Sequence, residues 1–226
     1  MKFLCALVFC VVAAGCSAGC SAPPAADDPA GVAPPATIST YASTEAPAPP
    51  AEVARANRDV ARAAVPARVP GFTPAGAGEA VLRLCPSLSR VVPADLVHAF
   101  GVWSGTGRDA GRSLAVTAVL DPENAPADQL LATLLPSDCP AQVDGVHYVF
   151  DRQPIERSDG WTGVLNTILA TDQATGERSY EAAYLLSKGD ALLNVVAGRA
   201  GRATFDPSVD QTAADTVERA IAAFAV

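Results

Sequence analysis

The sequence predicts an α+β domain: an antiparallel sheet of about five strands ending in a C-terminal meander, packed by helices that include a C-terminal helix, with one disulfide. Three observations carry this. Tyr180, Ala182, Tyr184 and Leu186 share one face of a strand that lies between two polar turn segments, as in consecutive hairpins. Val209, Ala213, Val217, Ala220, Ile221 and Phe224 then recur at three- and four-residue steps behind Asp206-Pro207, an N-cap followed by a first-turn proline. Cys85 and Cys139 are the two cysteines that remain beyond the first twenty residues.

The chain opens with Lys2 and an apolar run from Phe3 to Ala14. That run is too short for a hydrocarbon core, which needs about 20 residues, and it reads as a signal peptide over 1–15. An uncleaved anchor is the competing reading, against which stand the small residues Ala13-Ala14-Gly15 ahead of Cys16. These four residues resemble the bacterial lipobox, with Ala13 where Leu or Val is usual. The resemblance implies acylation of Cys16, by palmitate-type chains, with Cys20 behind Ser17-Ala18-Gly19 as the alternative. Two acyl chains give stable anchoring without a spanning helix. The expected place is therefore outside the cell, lipid-anchored at the outer face of the membrane.

Residues 16–50 form the lipidated N-terminus and a Pro/Ala-rich tether that includes Pro23-Pro24, Pro34-Pro35 and Pro49-Pro50. Such a segment buries too little apolar surface to offset its ordering entropy, so a disordered, partly polyproline II spacer is expected. About thirty residues of it reach roughly 90 Å. Thr37, Ser39, Thr40, Ser43 and Thr44 beside proline either accept O-linked sugars or belong to an unmodified spacer.

The formal net charge is −8, and the chain is acidic enough to give nucleic acid and anionic lipid heads no electrostatic footing. In an oxidising compartment Cys85 and Cys139 most simply form one disulfide. Their separation of 54 residues gives about 4 kcal/mol by the chain-entropy estimate. Metal binding and a reactive thiol compete with that reading, but neither cysteine has a second Cys or a His close by. No metal and no cofactor are expected.

From residue 51 a folded domain of about 175 residues is predicted, long enough to bury one core. Ala51 to Val65 reads as a helix with a thin stripe of Val53, Ala56, Val60 and Ala63 or Ala64, loosely held and stopped by Pro66. Val69 to Gly78, with Pro70 and Pro74, reads as loop. Ala80 to Cys85 reads as a short strand, and Pro93 to Phe100 as a short helix with Leu96, Val97 and Phe100 inward. Ser113 to Leu120 is apolar at nearly every position, a strand covered on both faces. Pro126 to Leu135 reads as a helix whose end the disulfide would pin to the first strand. Val146, Tyr148 and Phe150 alternate with His147, Val149 and Asp151 in a strand, and strands follow over Trp161–Thr171, Arg178–Ser187 and Ala191–Ala197.

This order of signal, lipobox, tether and cysteine-stapled α+β domain resembles small exported lipoproteins of mycobacteria and related actinobacteria. The part from Cys85 through Cys139 to the Tyr184–Val196 hairpin and closing helix is similar to sensor-type domains of that group, including the extracellular domain of PknH-type receptor kinases. Those kinase domains are held by two disulfides, where this domain can make one. The resemblance is architectural and implies binding of a ligand or partner.

The chemistry-bearing residues give no catalytic signature. His98 and His147 are the two histidines, so a Ser-His-Asp triad would need one of them in a cleft; each reads as structural. Gly105-Thr106-Gly107-Arg108-Asp109-Ala110 matches a dinucleotide-type glycine pattern but leads into a strand, and reads as a flexible loop. Asp121, Glu123, Asn124 and Asp128 fit a weak calcium site or a helix cap, without EF-hand spacing. Asp151, Arg152, Glu156 and Arg157 around Pro154 read as a solvated turn. Trp103 and Trp161, next to glycines or at strand ends, with Tyr148 and Tyr184, are the candidate ligand-facing aromatics, core packing being the reading preferred for the tryptophans.

The expected function is that of a non-enzymatic, sensor-like domain binding an envelope ligand or protein. The alternative is a lipid or glycolipid carrier with an apolar cavity between sheet and helices, lined by Leu130–Leu135, Val146, Tyr148 and Phe150. An enzyme is not expected.

Overall fold

The chain from α1 (Ala51–Ala64) runs through β1 (Phe72–Pro74), β2 (Val81–Cys85), β3 (Leu88–Val91), β4 (Val97–Gly105) and β5 (Arg112–Leu120). It continues through β6 (Gln142–Val143), β7 (Val146–Glu156), β8 (Thr162–Asp172), β9 (Arg178–Lys188) and β10 (Ala191–Ala200) to α2 (Pro207–Ala223). This is a computed structural model that describes residues 51–76, 78–85, 88–92, 94, 96–120, 139–201 and 204–224. The predicted signal, Cys16, Cys20, the tether, the predicted helix over 126–135 and the acidic group at 121–128 lie outside the described residues.

Eight strands form one antiparallel sheet in the order β1-β4-β5-β10-β9-β8-β7-β6, and β2 and β3 form a separate hairpin. The sheet thus has eight strands where about five were expected. The additional three are β1, β4 and β6. Residues 93–100 were expected as a helix because Leu96, Val97 and Phe100 have helical spacing. In the structure β4 pairs along its length with β5, from Val97 opposite Leu120 to Ser104 opposite Ser113. Tertiary pairing decides there, and the β-forming Val102 and Trp103 agree with it.

The sheet is covered on both faces in its middle. On one face Leu114, Val116, Ala118 and Leu120 of β5 and Leu193, Val195 and Ala197 of β10 pack under the two helices. α1, expected to be held loosely, brings Ala61 and Ala64 down to full burial, and α2 contributes Val209, Ala213, Val217, Ala220 and Ile221. Small side chains let both helices approach closely, so a thin stripe suffices.

On the other face the β2–β3 hairpin lays Leu82 and Leu84, with the adjoining Val92, on Val119, Leu185 and Leu192. Polar bonds fix its place. Thr117 Oγ1 donates to the Val81 carbonyl at 2.9 Å, and the Arg83 N–H donates to Asn194 Oδ1 at 2.8 Å. The Arg83 guanidinium reaches Glu181 at 3.0 Å. Cys85 ends β2 and is bonded to Cys139, with 5.7 Å between Cα atoms.

The stretch around Pro154, expected as a turn, is strand: β7 pairs with β8 from Val146 opposite Asp172 to Glu156 opposite Thr162. The Tyr148 N–H donates away from β8, to Ala141. Positions two, four and six residues on share that outward direction. Pro154 therefore lacks its N–H on the outer side, and the ladder to β8 loses nothing. The β6–β7 turn is Asp144-Gly145, with φ of 50° and 79°, the left-handed pair that a two-residue hairpin requires. Gly107–Asp109, expected as flexible loop, is one turn of 3₁₀ helix, and Asp109 is paired to Arg112 at 2.6 Å.

Candidate ligand-binding site

Two depressions of the surface lie where α1 hands over to β1. Pro66 cannot continue the helix, and the Val65 N–H closes its last turn on the Arg62 carbonyl at 3.2 Å. The chain then turns through Val69, whose carbonyl accepts from the Phe72 N–H at 3.1 Å. β1 next pairs with the end of β4, Phe72 opposite Gly105 and Pro74 opposite Trp103.

Trp103 is 4% exposed and belongs to the helix-side core. Its ring lies over Gly101, two residues back on the same face of β4: a Cβ at position 101 would stand 2.3 Å from Cη2 of the ring. Only glycine leaves that space. Around the ring are two adjoining depressions of about 280 and 480 Å³ that share Ala67, Pro74 and Trp103. Val65, Pro66 and Val102 add apolar wall to the first, Val69, Pro70 and Phe72 to the second. Every charged residue on the described lining is an arginine, Arg62 in the first and Arg68 in the second. Asp59 stands 4.0 Å from Arg62 with both side chains largely exposed, a pair worth little in water.

The other predicted aromatics lie elsewhere. Trp161 is 2% exposed and packs on Phe224 at the end of α2, ring centroids 5.2 Å apart. Tyr184 is half-buried against the same helix-side core, and burial, then the nearby Asp210, raises its phenol pKa. Tyr148 is on the opposite face of the sheet, half-buried. Burial raises its pKa against the lowering effect of Arg83. Of the four, Trp103 alone lines the two depressions, and the structure does not bring the four together.

The histidines do not meet. His98, expected in a helix, is on β4, with Nδ1 2.9 Å from the Leu96 carbonyl. His147 is exposed on β7, and four strands lie between the two. At about 4.8 Å per strand the separation is about 24 Å.

Three features escaped the sequence reading. Arg62 falls within the predicted thin helix and Arg68 between that helix and the predicted loop; the prolines at 66, 70 and 74 are the one signal that the segment leaving the helix is stiff and shaped. Arg152, read as part of a solvated turn, is half-buried and donates from Nε to Asn166 Oδ1 at 3.0 Å. Tyr180 donates to Asp210 Oδ1 at 2.8 Å, while Asp210 Oδ2 is buried without a partner. Burial raises the Asp210 pKa and the Tyr180 bond lowers it in part; burial and Asp210 push the Tyr180 phenol far above its ordinary value.

No family model matches the chain, and no curated protein matches it. Among solved structures it is similar to an uncharacterized protein of Mycobacterium smegmatis, an Rv0999 ortholog, at 14% sequence identity and a TM-score of 0.41. The match covers 74% of this chain and 95% of that one.

Proposed function

We propose that this chain is an exported lipoprotein, anchored by acyl groups on Cys16 at the outer face of the cell membrane, whose domain is a non-enzymatic, sensor-like binding module. The Trp103 cleft is the site at which it takes an envelope ligand. The observation that carries this reading is the cleft itself: a rigid apolar wall with an arginine in each depression, open to solvent beside a filled core. The second depression, about 480 Å³, lies within the range of small-molecule sites, about 300–1,000 Å³, and the first, about 280 Å³, lies just below it. Between sheet and helices the space is taken by Leu114, Val116, Leu193 and Val195, all with no exposed surface. That packing supports recognition at the surface over carriage of a lipid inside.

Native mass spectrometry of the full acylated protein, purified from an actinobacterial host and compared before and after lipid extraction, tests this. The expected mass is that of a chain beginning at Cys16 with its acyl groups and no further stoichiometric lipid. A phospholipid or glycolipid retained at one per chain would replace the binding module with a carrier.

A further inference from the structure

The cleft's charge and shape say more than that something binds. We infer that its ligand is a small amphipathic carboxylate, a flat or short apolar body carrying one anionic group; this rests on the cleft being the ligand site. In a protein of net charge −8, the described lining of both depressions carries arginine and no acidic side chain. A guanidinium presents a fork of donors that matches a carboxylate. Among the described residues the acidic side chain paired with either arginine is Asp59, at 4.0 Å from Arg62 on an exposed part of α1, a contact that holds Arg62 only weakly. Nearby cations that are committed elsewhere look different: Arg112 is bound to Asp109 and to the Ser208 carbonyl, and lies 5.6 Å over the ring of Phe72.

The apolar part of the wall is built from rings. Pro66, Pro70, Pro74, Phe72 and Trp103 lose little conformational entropy when a ligand covers them, and flat faces favour an aryl or short acyl group. A two-chain lipid exceeds the combined space, and a purely polar anion would leave the Trp103 and Pro74 wall wet. The two requirements together select an anion with an apolar body.

Trp103 reports on its own cleft. In the full acylated chain carrying Trp161→Phe, held in non-ionic micelles, it is the one remaining tryptophan. Its emission is to be titrated with 4-phenylbutyrate and with the neutral 4-phenylbutanamide. A saturable change is expected with the carboxylate, with up to about fivefold weaker binding of the amide, the size that one exposed charge contact gives. Arg62→Gln with Arg68→Gln is expected to bring carboxylate binding down to that of the amide, and added salt to weaken it likewise. If amide and carboxylate bind equally, the cleft remains a ligand site and the carboxylate inference falls. If neither changes Trp103 emission, the reading of the cleft as the ligand site falls with it.

Discussion

Nη2 of Arg152 lies 3.2 Å from Sγ of Cys139, so a cation from β7 rests on the disulfide that ties β2 to the segment leading into β6. The same nitrogen is 3.4 Å from the Leu84 carbonyl, and Nε donates to Asn166. Asn166 is 1% exposed and its Nδ2 already lacks a partner, so Arg152 satisfies the half of that amide that is satisfied at all.

Arg152→Leu should therefore destabilise the domain by about 1–3 kcal/mol in urea unfolding, the cost of a buried polar atom left unpaired. Removing the disulfide by Cys85→Ala with Cys139→Ala should cost about 4 kcal/mol by loss of loop closure. The combined variant should fall short of the sum by 0.5 kcal/mol or more, at the lower end of the range for contacting groups, about 0.5–3 kcal/mol. Strict additivity would show that Arg152 and the cross-link act independently.

Gly101→Ala places a methyl group where the Trp103 ring now lies. The ring is buried in the helix-side core apart from the edge that lines the cleft, so it can yield only by leaving its seat, and overpacking of this kind costs about 1–3 kcal/mol. In the Trp161→Phe background the emission of Trp103 should shift to the red, and binding in the cleft should weaken. An unshifted emission with wild-type stability would mean that the ring is not packed on Gly101 in solution.

What was legible in the sequence was the regular part of the fold. The first half of β7, β8 to β10 and α2 follow their periodicities, and in β9 a one-residue slip would turn Tyr180, Ala182 and Leu186 to the wrong side. β4 was misread because its spacing of Leu96, Val97 and Phe100 suits either element, and only pairing with β5, a contact distant in sequence from the turn chemistry, decides it. The site was legible by one residue. Trp103 was singled out for its glycine neighbours, but the arginines that complete the cleft lie about 40 positions away on α1 and its exit, with no local pattern to join them.

Tyr180→Phe removes the donor that, among the described residues, bonds the Asp210 carboxylate. Asp210 already has a raised pKa, so the folded protein binds its proton more firmly than the unfolded chain does. Stability from this group is present in full below the unfolded carboxylate pKa and is lost as pH rises through the folded value. Losing the phenol raises that folded value further. The variant should thus be destabilised by about 1–3 kcal/mol near pH 7, and by progressively less as the pH is lowered towards the ordinary carboxylate range, since the proton that the fold favours on Asp210 is then increasingly bound. Urea midpoints across that pH range measure the difference; an equal loss throughout would show that the Asp210 charge plays no part.

The two tryptophans, equivalent by composition, should separate in function. Trp161 packs on Phe224 within the core, and Trp161→Ala should cost about 3–5 kcal/mol through the cavity it leaves. At a temperature where that variant is still folded, carboxylate binding should be unchanged, because Trp161 lines neither depression. Trp103→Leu keeps an apolar side chain under α1 and loses less stability, yet it removes the flat floor shared by both depressions. Binding of 4-phenylbutyrate, read by isothermal titration since the reporter is gone, should fall by about tenfold or more, the loss of a stacked aromatic wall. If Trp161→Ala weakened binding as much as Trp103→Leu, the effect would be one of general stability and the cleft would lose its claim to specificity.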